Sequence, residues 1–354
     1  MNTISRIIKK HRRHVPAIAL LLGLVWDFFL LRHPDSFFAN VVLLGWLVTS
    51  LGTIFLLSIQ KKRGKTDPLF ILGLMQFAFG NLAGSLLVLY GRSGSLSGSI
   101  LFFLVLGSFL IGNEFLKTRY ARLQFHIAAW YLLLLAYLVL VVPIVVKETG
   151  TGIFILSGMV SLGIVGAFLY LLTLISREGL SKHLKQTIRI ILVIFVSFNA
   201  LYFLNIIPPV PLSIETVGVY HLVEKQPDGG YNVEYERPNI FNIFSNTSTV
   251  FHNLANGPAY CFSSIYAPIG ISAPIYHRWE FYDPVLKRWE TSLYIAFPIV
   301  GGRDTGYRGY SIKSALVPGK WRCSVETENG ALIGRVTFTV VLEVSPRPLR
   351  TKVL

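Results

Sequence analysis

Charge is scarce in this sequence. Charged residues fill 14% of the 354 positions, against about a quarter in soluble domains. That shortage points to a membrane protein rather than a soluble one. Acidic residues are the rarer sign, with 18 Asp and Glu against 33 Lys and Arg. Cysteine occurs only at Cys261 and Cys323, too few for a disulfide scaffold. No H-E-x-x-H zinc helix and no G-x-S-x-G nucleophile elbow is present, and no pair of carboxylates stands out. Nothing in the motifs therefore indicates hydrolase chemistry, a metal centre or a cofactor.

What the chain has in excess is apolar sequence. Seven runs stand out, at about 15–31, 37–59, 69–90, 99–115, 125–146, 153–175 and 190–207. Most are long enough to cross about 30 Å of hydrocarbon as a helix. The first follows the basic stretch RIIKKHRRH, but no small-residue cleavage site comes after it, so it reads as a retained helix.

The positive charge is not spread evenly. Residues 1–207 hold nineteen Lys and Arg and six Asp and Glu, whereas residues 208–354 hold fourteen and twelve. The surplus therefore sits in loops between apolar runs, which is a topology signal and not a nucleic-acid surface. Alternate loops differ sharply. The N-terminus, QKKRGKTDP, LKTRYARLQ and SREGLSKHLKQTIR together carry sixteen basic residues, and the intervening loops carry Arg32, Arg92 and Lys147. This predicts a cytoplasmic N-terminus, with everything beyond residue 207 outside. In a Gram-negative cell that is the periplasm.

Polar groups inside the spans are few. Asp27 lies near the outer end of the first run beside Arg32, where an interfacial ion pair is the plain reading and a proton or ion relay the functional one. Glu114 and His126 lie near cytoplasmic ends, where snorkelling is expected. Gln76, Asn81, Asn199 and Asn205 are candidates for bonds between helices, and GNLAG (80–84) has the spacing for close helix contact. Neither a charged cluster at mid-depth nor matching broken helices argues for transport.

After NIIPPVPLS the pattern changes to short alternating runs, near 215–224, 230–236, 258–267, 274–282, 289–299, 308–315, 319–328 and 331–343. Such spacing predicts an all-β, immunoglobulin-like antiparallel sandwich. The domains are then 1–207, transmembrane, and 208–354, exterior. Cys261, Trp279 and Cys323 follow the immunoglobulin order, which leaves open an inter-sheet disulfide or two separate buried thiols. The stretch 239–258 has no assignable element.

HLVE (221–224) and HRWE (277–280) are H-x-x-E, but on a strand that offset puts the two side chains on opposite faces. A zinc site would need His221, His252 and His277 to meet in space, and the plain reading of His277 is a core residue. GGRDTGYRGYSIK (301–313) has the glycine spacing of a phosphate loop, yet Tyr307-Arg308 replaces Lys-Ser/Thr and strands flank it. Nucleotide binding is excluded on both counts. Arg303, Arg308, Tyr307 and Tyr310, with Arg278, suit a carboxylate, phosphate headgroup or sugar. The structural alternative pairs an arginine with Asp304 and leaves the glycines to the turn.

YCFSSIYAP, IYHRWEFYD, FPIVGGRDTGYRGYSIK and PGKWRCSVETENGALIGRVTFTV, in this order, resemble the bacterial domain of unknown function 2914 family over roughly residues 210–342. WDFFLLRHPDSFFANVVLLGWL is similar to its polytopic members. The resemblance implies a bacterial inner-membrane protein with an exterior β domain, and no established activity. In that family an aliphatic side chain usually stands where this chain has Cys323, which weighs against the bond. The expected function is binding of an envelope ligand or protein partner beside the lipid bilayer. Transport, and an enzyme acting on envelope lipid or glycan, are the alternatives.

Overall fold

The computed structural model describes residues 27, 29, 31, 33–62, 69–94, 99–107, 123–175, 184–237, 248–254, 257–303, 306–343, 345 and 347–354. The chain divides into two compact units, one of helices and one of strands, the second taking up the chain from Ile207.

Apolar runs in hydrocarbon close every backbone hydrogen bond internally, and a helix does this within one segment. The helices are α1 (Phe37–Lys62), α2 (Leu69–Ser93), α3 (residues 99–107), α4 (Leu123–Val146), α5 (Thr151–Ile175) and α6 (Leu184–Phe203). All except α3 are long and apolar enough to cross a membrane. This corrects the expected seven spans: among the described residues there are six helices, five of them of spanning length. Only Asp27, Phe29 and Leu31 of the first expected span are described, and the fourth is described as helix over 99–107 alone, short of a membrane's thickness.

α4 is the central helix, with 67% of its spanning window buried against 17% for α6. It packs on α1, α5 and α6. Side-chain hydrogen bonds to main-chain carbonyls tie it to its neighbours. Trp130 Nε1 donates to Leu47 O of α1 at 3.1 Å, and Tyr90 Oη of α2 donates to Ala136 O at 2.8 Å. Asn81 and Asn199 do not bridge helices; each donates to a carbonyl one turn back, Phe77 O and Phe195 O.

The strand unit contains β1 (Ser213–Tyr220), β2 (Leu222–Lys225), β3 (Tyr231–Tyr235), β4 (Val250–Leu254), β5 (Ala259–Tyr266), β6 (Ser272–Asp283), β7 (Arg288–Val300), β8 (Tyr307–Lys313), β9 (Gly319–Thr327), β10 (Leu332–Glu343) and β11 (Arg350–Val353). They form three sheets, ordered β1-β5-β8, β4-β10-β9-β6-β7 and β11-β3-β2. Every ladder is antiparallel except β4 with β10.

Period-two alternation decides what each strand buries. From β5, Cys261 and Ile265 pack against side chains of the five-stranded sheet, among them Trp279, Cys323 and Phe338 around the first and Ile275, Ile299 and Val325 around the second. Phe262, between them in sequence, packs with Tyr220, Val223 and Val233, and so against the β2-β3-β11 sheet. The β1-β5-β8 sheet is therefore covered on both faces. Cys261 and Cys323 are bonded to each other, tying β5 to β9 beside Trp279. The bond is present although Cys323 departs from the aliphatic residue expected there.

Candidate functional site

β7 ends one sheet and β8 begins the edge of another, and the glycine-rich connection crosses between them. Its glycines are used for close backbone approach. The Gly301 amide donates to Ile271 O at 2.8 Å and the Gly302 amide to Ala267 O at 3.0 Å. A Cβ on Gly301 would lie 2.0 Å from Pro268 O, and Gly306, at φ +76°, has Ser264 Oγ 2.6 Å from where its Cβ would be. No side chain fits either position. A strand follows the connection, where a phosphate loop requires a helix.

The expected ligand residues separate into three places. Arg303 lies over the Tyr307 ring at 5.4 Å, and Tyr307 packs on the core side of β8. Arg308 and Tyr310 point to the other face. Arg308 Nη1 donates to Gly229 O at 3.4 Å, and Tyr310, 38% exposed, meets the rings of Tyr231 and Tyr260 at 6.2 and 5.9 Å. Among the described residues neither Arg303 nor Arg308 has a carboxylate partner, and Asp304 lies outside them. Arg278 is remote from both groups in the sheet register. It occupies the outer face of β6, paired with Glu326 at 2.8 Å.

That outer face carries a charge network missed in the sequence. Glu280 accepts two bonds from Arg322, one from Nη2 at 2.8 Å, and Arg335 Nε donates to Ser324 Oγ at 2.8 Å. Both carboxylates are buried. Burial opposes ionisation of Glu280, but the Arg322 hydrogen bonds outweigh it and hold the carboxyl below its usual range. Burial raises Glu326.

Two further polar groups come from distant segments. Glu236 receives His221 Nε2 at 2.9 Å and His252 Nδ1 at 2.6 Å, beside a small recess lined by Val219, Val250, Phe251 and Phe338. Burial works against this carboxylate, yet bonds from His221 and His252 take it down to about 2. His277 is not with them. It is fully buried, with Nε2 2.8 Å from Ser263 Oγ and Nδ1 2.9 Å from Ser311 Oγ, and Trp279 Nε1 donates to Ser311 as well. The three histidines thus form no common zinc site. His277 does lie beside Cys261 and Cys323, a set of three donors that suits zinc, but the sulfurs are bonded to each other and both ring nitrogens face hydroxyls.

In the helical unit Ser85 Oγ donates to Asp27 Oδ2 at 3.0 Å. Arg32 and Glu114 lie outside the described residues.

Comparison with known proteins adds one family. Residues 272–340 match the model of a protein family of unknown function, DUF2914. The DUF2914 segment runs from the start of β6 into β10. It takes in the glycine-rich connection, the charged face and Cys323, and leaves out β1–β5 with Cys261 and the Glu236 cluster. It is narrower than the stretch 210–342 over which the resemblance was read. No curated protein matches the chain. Among solved structures, a mutant β-glucosidase from Listeria innocua in complex with laminaribiose is 10% identical with a TM-score of 0.21, over 38% of this chain and 17% of that one. The Pseudomonas fluorescens alkylpurine DNA glycosylase AlkC, bound to DNA with an abasic site analog, is 11% identical with a TM-score of 0.22, over 87% and 99%. Neither likeness shows a shared fold, and the chain spans a small part of the β-glucosidase.

Proposed function

We infer that this chain is a bacterial inner-membrane protein whose strand unit stands in the periplasm and recognises an envelope ligand or protein partner. Residues 1–207 are the membrane domain and 208–354 an immunoglobulin-like sandwich, a reading supported by the Cys261–Cys323 bond between two sheets beside Trp279. The orientation does not depend on the number of helices before α6. SREGLSKHLKQTIR carries four basic residues into the start of α6, and the strand unit begins after its other end. If basic loops stay in the cytoplasm, the strands lie across the membrane from it. Alkaline phosphatase fused after Leu354 is expected to be active and a green fluorescent protein fused there to be dark. A bright fluorescent fusion would overturn the orientation.

The observation that carries recognition is the pair Arg308 and Tyr310 on the face of β8 turned toward the β2-β3-β11 sheet, an arginine without a carboxylate among the described residues beside Tyr310, still 38% exposed, and the rings of Tyr231 and Tyr260. A guanidinium beside phenol rings suits a phosphate, carboxylate or sugar. Nucleic acid and nucleotides are not the expected partners. Arg303→Ala with Arg308→Ala, compared with the parent after crosslinking in whole cells, is expected to reduce recovery of the bound envelope component by about tenfold or more. Equal recovery from both would sink the assignment.

A further inference from the structure

The outer face of the five-stranded sheet is built in two layers. Next to the backbone lie Glu280, Glu326 and Ser324, all buried. Above them lie flat groups that touch one another in pairs. The Arg322 guanidinium sits 4.4 Å from the Trp289 ring centre, Arg278 sits 5.4 Å from that of Tyr294, and Tyr294 stacks on Tyr276 at 4.7 Å with an interplanar angle of 12°. Strand register explains the order: Arg322 stands opposite Glu280, and Arg278 stands between Ser324 on β9 and Tyr294 on β7. Glu280 fixes the Arg322 guanidinium with two hydrogen bonds and Glu326 is ion-paired with Arg278, so a ligand meeting this layer orders few side chains on binding.

The charges do not cancel. Arg278 and Arg322 answer the two glutamates, which leaves Arg335, whose Nε donates to the neutral Ser324 hydroxyl. Lys320 is exposed and lies two residues before Arg322 on β9, hence on the same face. The surface therefore offers aromatic planes beside an unbalanced positive charge. Pyranose rings lay their C–H faces on such planes, and a sugar carboxylate takes a guanidinium in a forked pair.

We propose that this sheet face is a binding site for acidic glycan, with Trp289 as the ring platform and Arg335 as the carboxylate partner. It is separate from the β8 residues of the functional reading. The test uses the full chain in nanodiscs, titrated calorimetrically with trigalacturonate and with neutral cellotriose. Trigalacturonate is expected to bind at least about tenfold more tightly. Trp289→Ala weakens both sugars. Arg335→Gln weakens only the acidic one, and Arg335→Lys keeps most of the preference. Arg303→Ala with Arg308→Ala changes neither, so this site and the β8 site fail independently. Thermal unfolding of each variant checks that the strand unit stays folded. Absence of saturable binding, equal affinity for the two sugars, or a preference that survives Arg335→Gln in a folded protein overturns the proposal.

Discussion

Cys261→Ser is expected to destabilise the strand unit by about 4 kcal/mol, a large share of an ordinary domain's stability. The bond closes a loop of 62 residues, and releasing it returns that loop's freedom to the unfolded chain. The sulfurs sit in a core shared by two sheets, so serine would also bury an unpaired hydroxyl. Cys261→Ala with Cys323→Ala separates the two effects, because it removes the bond without adding a polar group. The measurement is protease resistance of the strand unit against urea in the full chain. Resistance within about 1 kcal/mol of the parent would mean that the bond contributes little. Reductant alone acts slowly on the folded parent, since both sulfurs are buried.

The next largest effect is tied to pH. Burial pushes the His277 imidazole down from 6.5 to about 3, so the folded protein holds it neutral. The unfolded chain takes up a proton below 6.5 that the folded chain refuses until about 3. Stability is therefore fully present above 6.5 and declines by about 1.4 kcal/mol for each pH unit below it. Between pH 7 and pH 5 the strand unit is expected to lose about 2 kcal/mol from this group. Glu236 acts with the same sign but in a lower window, because it departs from its ordinary 4.5 toward about 2. His277→Gln keeps a neutral group that can face both serines and is expected to flatten the slope between pH 7 and pH 5. Urea unfolding at several pH values reads this directly. An unchanged slope in the variant would assign the loss to other groups.

The sequence shows the strands where alternation is strong and local. GKWRCSVETENG predicts a strand, a turn and a return, and β9 and β10 stand there in the structure. Two strands were not visible. β4 is five residues long in an Asn- and Phe-rich stretch, and β11, RTKV, shows no apolar alternation; their partners lie far away in sequence. Partner choice was hidden for the same reason. HLVE offers Glu224 to His221, but the carboxylate that meets His221 is Glu236, brought there by the β2–β3 pairing. Alternation on β6 puts Arg278 outward, and only the β6–β9 register shows that Glu326 is within its reach. The glycines of 301–313 carried a local signal that fitted two readings. Contact between Gly301 and the carbonyl of Pro268 favours the structural one for that residue.

The order in which the strands arrive has a consequence for biogenesis. β3 emerges early and pairs with β11, formed almost at the end of the chain, and β4 pairs with β10. The sheet that carries Cys261 likewise waits for β8, and the sulfur it bonds to lies on β9. The β2–β3 and β6–β7 pairs can form as soon as they are made, but the sheets that need β8, β10 and β11 must wait for those later strands. Long intervals with open edges and an unpaired thiol follow, so a holding chaperone and a thiol oxidant are the helpers this topology calls for.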